Sequence, residues 1–297
     1  MNIEEVKNEI SNLLKIDNKD IFNVTKNKKG MTNESFFFEY DKTKYIIKFP
    51  KKSTNEIVNR TNETETINVI KELDIFNEVI YIDKPSGTKI LKYIENVHPC
   101  SDKDDKDIEL AIHSLQDFHN RRIIVDYEFD FFEMINLYEK NTKISDLNTY
   151  INNYEQYKER IERTLSYYLN RCTINKQLCH IDFICDNVLI GKDKTYLIDW
   201  EYAAMQDPHV DISMFCVYSN YRKEQSDKII DLYFENNCDD LTRNKIYSYM
   251  AVASFLWSIW SVIMINNGSD YKEYLSNQLK VSNEYLILAE DYINGNC

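Results

Sequence analysis

From Leu178 to Asp211 the chain alternates short polar clusters with short apolar runs, LCHIDFICDNVLIGKDKTYLIDWEYAAMQDPHVD. His180-Ile181-Asp182 with Asn187 makes the first cluster, and Asp199-Trp200-Glu201-Tyr202 makes the second. Between them Val188–Ile190 and Tyr196–Ile198 read as two short buried strands, with Gly191-Lys192-Asp193-Lys194 as the turn. A loop, a hairpin and a second loop predict that Asp182, Asn187 and Asp199 meet at one end of a small sheet.

Phosphoryl transfer from a nucleotide needs such a set. It requires a carboxylate to orient an attacking hydroxyl and accept its proton, and hard oxygen ligands to hold Mg²⁺ on the phosphates. Asp182 suits the first task. Asn187 follows at the spacing of a kinase catalytic loop, H-x-D-x-x-x-x-N, and Asp199 falls where the metal-binding aspartate of the next loop belongs. Any one of the three alone reads as a turn residue or a strand-end cap; the spacing of all three around a hairpin is what points to this chemistry.

His180-Ile181-Asp182 through Asn187, then Leu197-Ile198-Asp199-Trp200-Glu201-Tyr202-Ala203, Asp207-Pro208 and Asp211-Ile212, closely resemble the choline/ethanolamine kinase family, above all its bacterial choline kinases. The resemblance implies an α+β, protein-kinase-like fold of two lobes. Residues 1–95 are then a small antiparallel-sheet lobe that binds ATP, with a hinge at about 90–96, and residues 96–297 a larger, mainly helical lobe. It also implies Asp182 as catalytic base, Asn187 and Asp199 as Mg²⁺ ligands, and His180 and Asp211 as structural residues, Asp211 bracing the catalytic loop.

In the first lobe, Ile3, Val6, Ile10, Leu13 and Leu14 form a helical stripe, and Ser35–Tyr40 and Lys44–Phe49 read as strands. Gly30-Met31-Thr32-Asn33 resembles the turn whose backbone N–H groups bind ATP phosphates, although a turn with one glycine is by itself an ordinary hairpin signal. Lys48 lies among apolar neighbours, where a lone ammonium is costly, so it demands a partner. The following helix, expected over about 55–73, offers Glu56, Glu63 and Glu65. Arg60-Thr61-Asn62-Glu63 matches the family's R-x-x-E, which nominates Glu63 as the partner while Lys48 reaches the phosphates. The strand Thr88–Ile94 leads into the hinge, and the resemblance assigns the adenine edge to Lys92, Tyr93 and Ile94.

The second lobe is read as helical from Asp107, with one long helix over Leu147–Tyr168 and further helices after Asp211. Trp257 and Trp260, three apart, share one helix face, and aromatic faces attract quaternary ammonium ions. Such a stripe is ordinarily core; the resemblance turns it into a choline cage of Trp257, Trp260 and Tyr274. Two positions depart from the family: Gln206 replaces Asn, and Tyr218 stands where a substrate-binding Glu is usual. Asp199 repels Glu201, which is left to face either a basic partner or the substrate cation.

A formal charge of -13 argues against nucleic acid and is compatible with a small cationic substrate, choline or a related amino alcohol. Seven cysteines, an odd number without a C-x-x-C pair, suggest free thiols. The acidic start lacks the pattern of a signal peptide, and the longest apolar run, Ala251–Ile265, is short and broken by serines. Cytoplasmic residence and no membrane span are therefore expected. The reading is an ATP- and Mg²⁺-dependent choline kinase; its rivals are a kinase for ethanolamine or another amino alcohol, an aminoglycoside phosphotransferase and a non-catalytic binding protein.

Overall fold

Alternation of apolar and polar residues in Asn33–Tyr40 and Thr43–Pro50 puts Phe36, Phe38 and Ile47 on one side of a sheet, where Val6 and Ile10 of the first helix cover them. The computed structural model describes residues 1–27, 32–51 and 58–295, with Ile144 and Ser145 described by their backbone alone. In chain order the elements begin with α1 (Ile3–Leu14), β1 (Phe22–Asn27), β2 (Asn33–Tyr40), β3 (Thr43–Pro50), α2 (Arg60–Ile70), β4 (Val79–Ile82), β5 (Lys89–Lys92) and β6 (His98–Pro99). They continue with α3 (Asp105–His119), α4 (Phe131–Lys140), α5 (Ile144–Tyr150), α6 (Tyr154–Leu169), β7 (Gln177–Cys179), β8 (Val188–Ile190) and β9 (Thr195–Leu197). The last are β10 (Ala204–Gln206), α7 (His209–Tyr218), α8 (Lys223–Tyr233), α9 (Asp240–Asn266) and α10 (Lys272–Gly295).

Two compact units result, Met1–Pro99 with Val188–Ala203, and Cys100–Asn187 with Ala204–Cys297. The expected division assigned 188–203 to the second lobe; instead this segment joins the first unit, because β8 pairs with β6 and the Leu197 N–H donates to Ile75 O at 2.8 Å. The first unit carries a five-stranded antiparallel sheet in the order β1-β2-β3-β5-β4. Its strand β1 is unassigned by the sequence pattern, since Val24 is the one buried residue in it and little alternation shows. The hairpin β8–β9 forms with Val188 opposite Leu197, one residue earlier than expected on the second strand.

In the second unit, α9 is the central helix, packed against α10, α7, α6 and α4. By length and composition it could cross a membrane, yet 72% of its most apolar window is buried within the protein, as a core helix requires. The helix expected over Leu147–Tyr168 is broken into α5 and α6. Asn153 adopts a left-handed conformation (φ 53°), which asparagine tolerates, and Asn148 Oδ1 accepts the Tyr154 N–H at 3.3 Å as the chain restarts.

His209 opens α7 against the rings of Phe234 and Tyr233, with Asp207 3.4 Å from its Nδ1. Burial lowers its pKa to about 4, against the opposing pull of Asp207. Between that value and the ordinary 6.5 the unfolded chain binds a proton that the folded chain does not, so the folded state loses stability as pH falls through this window and keeps it above. This one group should cost about 2 kcal/mol between pH 7 and pH 5. Urea unfolding at the two pH values measures it, and His209→Phe should remove that share of the difference.

Candidate active site

Each unit carries its own set of groups. In the second unit, the Asp211 carboxylate is fully buried and accepts the N–H groups of His180 (2.8 Å) and Ile181 (2.7 Å). His119 Nε2 lies 2.9 Å from the same carboxylate, and His119 Nδ1 is 2.8 Å from the Tyr233 hydroxyl. Ile181 is held at φ 65°, a left-handed conformation that a β-branched side chain strongly disfavours. Asp211 offsets that strain with two charge-assisted bonds and fixes the path of the loop that presents Asp182.

Asn187 Nδ2 donates to Asp182 O at 2.9 Å and to Asp182 Oδ2 at 2.8 Å. Both amide hydrogens are thereby used. Its Oδ1 has no hydrogen bond among the described residues, so it is the free end of the side chain, a hard oxygen that fits Mg²⁺. Burial, with the Asp182 charge next, raises the pKa of Tyr138; burial raises Tyr274, and the charges of Tyr218 and Asp182 add to it. The Asp182 charge is thus felt at Tyr138 and Tyr274.

Tyr274 belongs to an aromatic cluster. The Trp257 and Trp260 rings sit edge to face at 5.9 Å, and Tyr274 lies 6.4 Å from Trp260. Tyr271, which sequence reasoning missed, is nearer, at 5.0 Å. It stands in the turn before α10, so no helical spacing flagged it. The Tyr218 hydroxyl is 3.4 Å from Asp186 Oδ2, and burial and the nearby aspartates push its pKa up to about 12. Gln206, the other departure, bonds to Phe129 O at 2.6 Å and accepts the Asp207 N–H at 2.8 Å, so the longer amide serves the loop.

In the first unit, Lys48 Nζ pairs with Asp199 Oδ1 at 2.8 Å. Burial alone would favour neutral lysine, but Asp199, with Glu201 and Glu63 behind it, holds the pKa above the ordinary value. The expected Lys48–Glu63 bridge is not made. Glu63, 1% exposed, pairs instead with Lys89 Nζ and with Arg60 Nη1, the latter at 2.8 Å. Lys89 is the register partner of Lys48 on the adjacent strand, so both lysines stand side by side and the nearer one takes Glu63.

Glu201, left open between a basic partner and the substrate cation, meets the basic partner Arg60 within the first unit. Its Oε1 accepts the Thr32 hydroxyl at 2.6 Å, and its Oε2 accepts Asn33 Nδ2 at 3.1 Å and Arg60 Nη1 at 3.2 Å. Burial first, and Asp199 next, raise its pKa. Gly30 and Glu56 lie outside the described residues. Of the three residues assigned to the adenine edge, two have their N–H groups engaged: the Lys92 N–H donates to Glu78 O and the Tyr93 N–H to Lys44 O, each at 2.9 Å. Among the described residues Ile94 makes no such bond, and it lines a cleft of about 460 Å³ with Lys44, Phe76, Asn77, Tyr93 and Tyr196.

An antiparallel sheet carrying an ion-paired lysine, and a helical unit whose H-x-D-x-x-x-x-N loop hangs on a buried aspartate, make up a protein-kinase-like phosphotransferase. Residues 23–247 match the Phosphotransferase enzyme family, and the chain belongs to it. It is similar to protein LicA of Haemophilus influenzae, 21% identical over 262 residues that cover 84% of this chain and 96% of that protein. The crystal structure of choline kinase LicA from Streptococcus pneumoniae superposes with a TM-score of 0.79 at 25% identity, covering 96% of this chain and 98% of that one. LicA in complex with AMP gives a TM-score of 0.78 at 24% identity over the same shares.

Proposed function

We propose that this enzyme transfers the γ-phosphoryl group of ATP to the hydroxyl of choline, giving phosphocholine and ADP with Mg²⁺ as cofactor. The observation that carries the acceptor is the edge-to-face indole pair Trp257–Trp260, with Tyr274 beside it under the field of Asp182. A trimethylammonium group against these rings gains cation–π attraction and leaves its hydroxyl for Asp182. The similarity to LicA choline kinase, and the AMP bound in a LicA structure, support the same acceptor and nucleotide.

In this reading Asp182 orients the hydroxyl and takes its proton, and its own position is fixed by Asn187 Nδ2. Asn187 Oδ1 and the Asp199 carboxylate would hold Mg²⁺, which when bound neutralises charge on the phosphates. Lys48, kept charged by Asp199, serves the phosphates. We place the enzyme in the cytoplasm, where ATP is abundant; its six described cysteines are free thiols, as a reducing compartment favours.

ADP release with choline, ethanolamine and an aminoglycoside panel tests the assignment. Choline should be preferred; release with aminoglycosides alone would overturn it. Trp257→Ala should raise the choline KM by roughly 2- to 30-fold, the worth of one cation–π contact, with the ATP KM nearly unchanged. Steady-state kinetics varying each substrate in turn reads both values.

A further inference from the structure

Arg60, the first residue of α2, has no role in the chemistry above, yet it is 7% exposed and stands at the centre of a buried charge network. Its Nη1 bridges Glu63 Oε2 (2.8 Å) and Glu201 Oε2 (3.2 Å). Through Glu201 the network continues to Thr32 and Asn33, and Asn33 Nδ2 also donates to Thr32 Oγ1 at 3.1 Å. The Thr32 carbonyl accepts the Lys51 N–H at 2.9 Å, which ties the head of β2 to the end of β3. Arg60 is also confined along its stem. A Cβ on Gly87 would come within 2.6 Å of Arg60 Cδ and 3.0 Å of Arg60 Cγ, so the glycine, at φ 71°, leaves room for the Arg60 stem.

Burying Glu201 two residues from Asp199 is unfavourable, and an apolar residue packed there would spare the desolvation of both carboxylate and guanidinium. The network gives something in return: a fixed distance between the metal-loop aspartate and the head of β2. We propose that Arg60 and Glu201 are positioning residues for the nucleotide, holding Thr32 and Asn33 in register with Asp199. Neither touches the reacting atoms. This rests on the proposed kinase activity and on the resemblance of the turn ending in Thr32 and Asn33 to one that binds ATP phosphates, and of the two alternatives for Glu201 it takes the basic partner over the substrate cation.

Thr32→Val gives the sharpest test, because it removes the hydroxyl that ties the strand head to Glu201 and leaves the charges paired. The Kd for Mg-ADP, measured by titration without acceptor, and the KM for ATP should each rise about tenfold, the worth of one hydrogen bond to a charged group. The choline KM should stay within about twofold, and Thr32→Ser should restore nucleotide binding. Arg60→Lys, which keeps the charge but loses the planar fork, should shift nucleotide affinity in the same direction and carries the test if Thr32→Val folds poorly. Wild-type nucleotide affinity in both variants overturns the proposal, as does an equal rise in the KM of both substrates accompanied by a lower Tm. Since Mg-ADP binding needs no acceptor, these results stand whether or not choline proves to be the substrate.

Discussion

Asp182→Ala is expected to lower kcat by roughly 10²- to 10⁴-fold, the usual share of a positioned general base. Its folding should be little changed. Asp182 is partly exposed, and after truncation Asn187 Nδ2 keeps the bond to the residue 182 carbonyl that it makes at 2.9 Å. The loop itself hangs on Asp211 through the His180 and Ile181 N–H groups, which the substitution does not touch. Single-turnover ADP formation at saturating choline and ATP measures the loss, and circular dichroism with urea unfolding checks the fold. Turnover equal to wild type would remove Asp182 from the mechanism.

The second large effect concerns stability. Glu63→Leu should destabilise the first unit by about 3–5 kcal/mol, because it leaves the buried Lys89 ammonium without its carboxylate and removes the Glu63 partner of Arg60. Replacing Lys89 as well, in Glu63→Leu/Lys89→Leu, should recover a large part of the loss, since removing a buried pair is far cheaper than breaking it. Arg60 keeps Glu201 in both variants. Urea unfolding decides between this and the bridge read from the sequence: had Glu63 served Lys48, Lys89→Leu would rescue nothing.

Helix and strand order in the first unit followed from apolar spacing, and α1 spans the Ile3–Leu14 of its hydrophobic stripe. Errors arose where the pattern is thin. β1 buries little, so it carries no alternation to read, and the α5–α6 break depends on the left-handed Asn153, which a stripe of apolar residues does not register. The aromatic pair Trp257–Trp260 was legible because both residues lie on one helix turn, whereas Tyr271 enters from a turn that only packing brings beside them.

The sequence alone determined the reaction class, because the catalytic loop is local: Asp182 and Asn187 are five residues apart and bond directly. It also showed that Lys48, set among apolar neighbours, needs a partner, as burying it alone is costly. The tertiary structure decided who the partners are. Glu63 meets a lysine 26 residues away, a pairing that depends on sheet register, and Arg60 a glutamate 141 residues away. With Lys48 and Lys89 opposite one another on β3 and β5, two lysines compete for Glu63, and only their distances in the folded sheet choose between them.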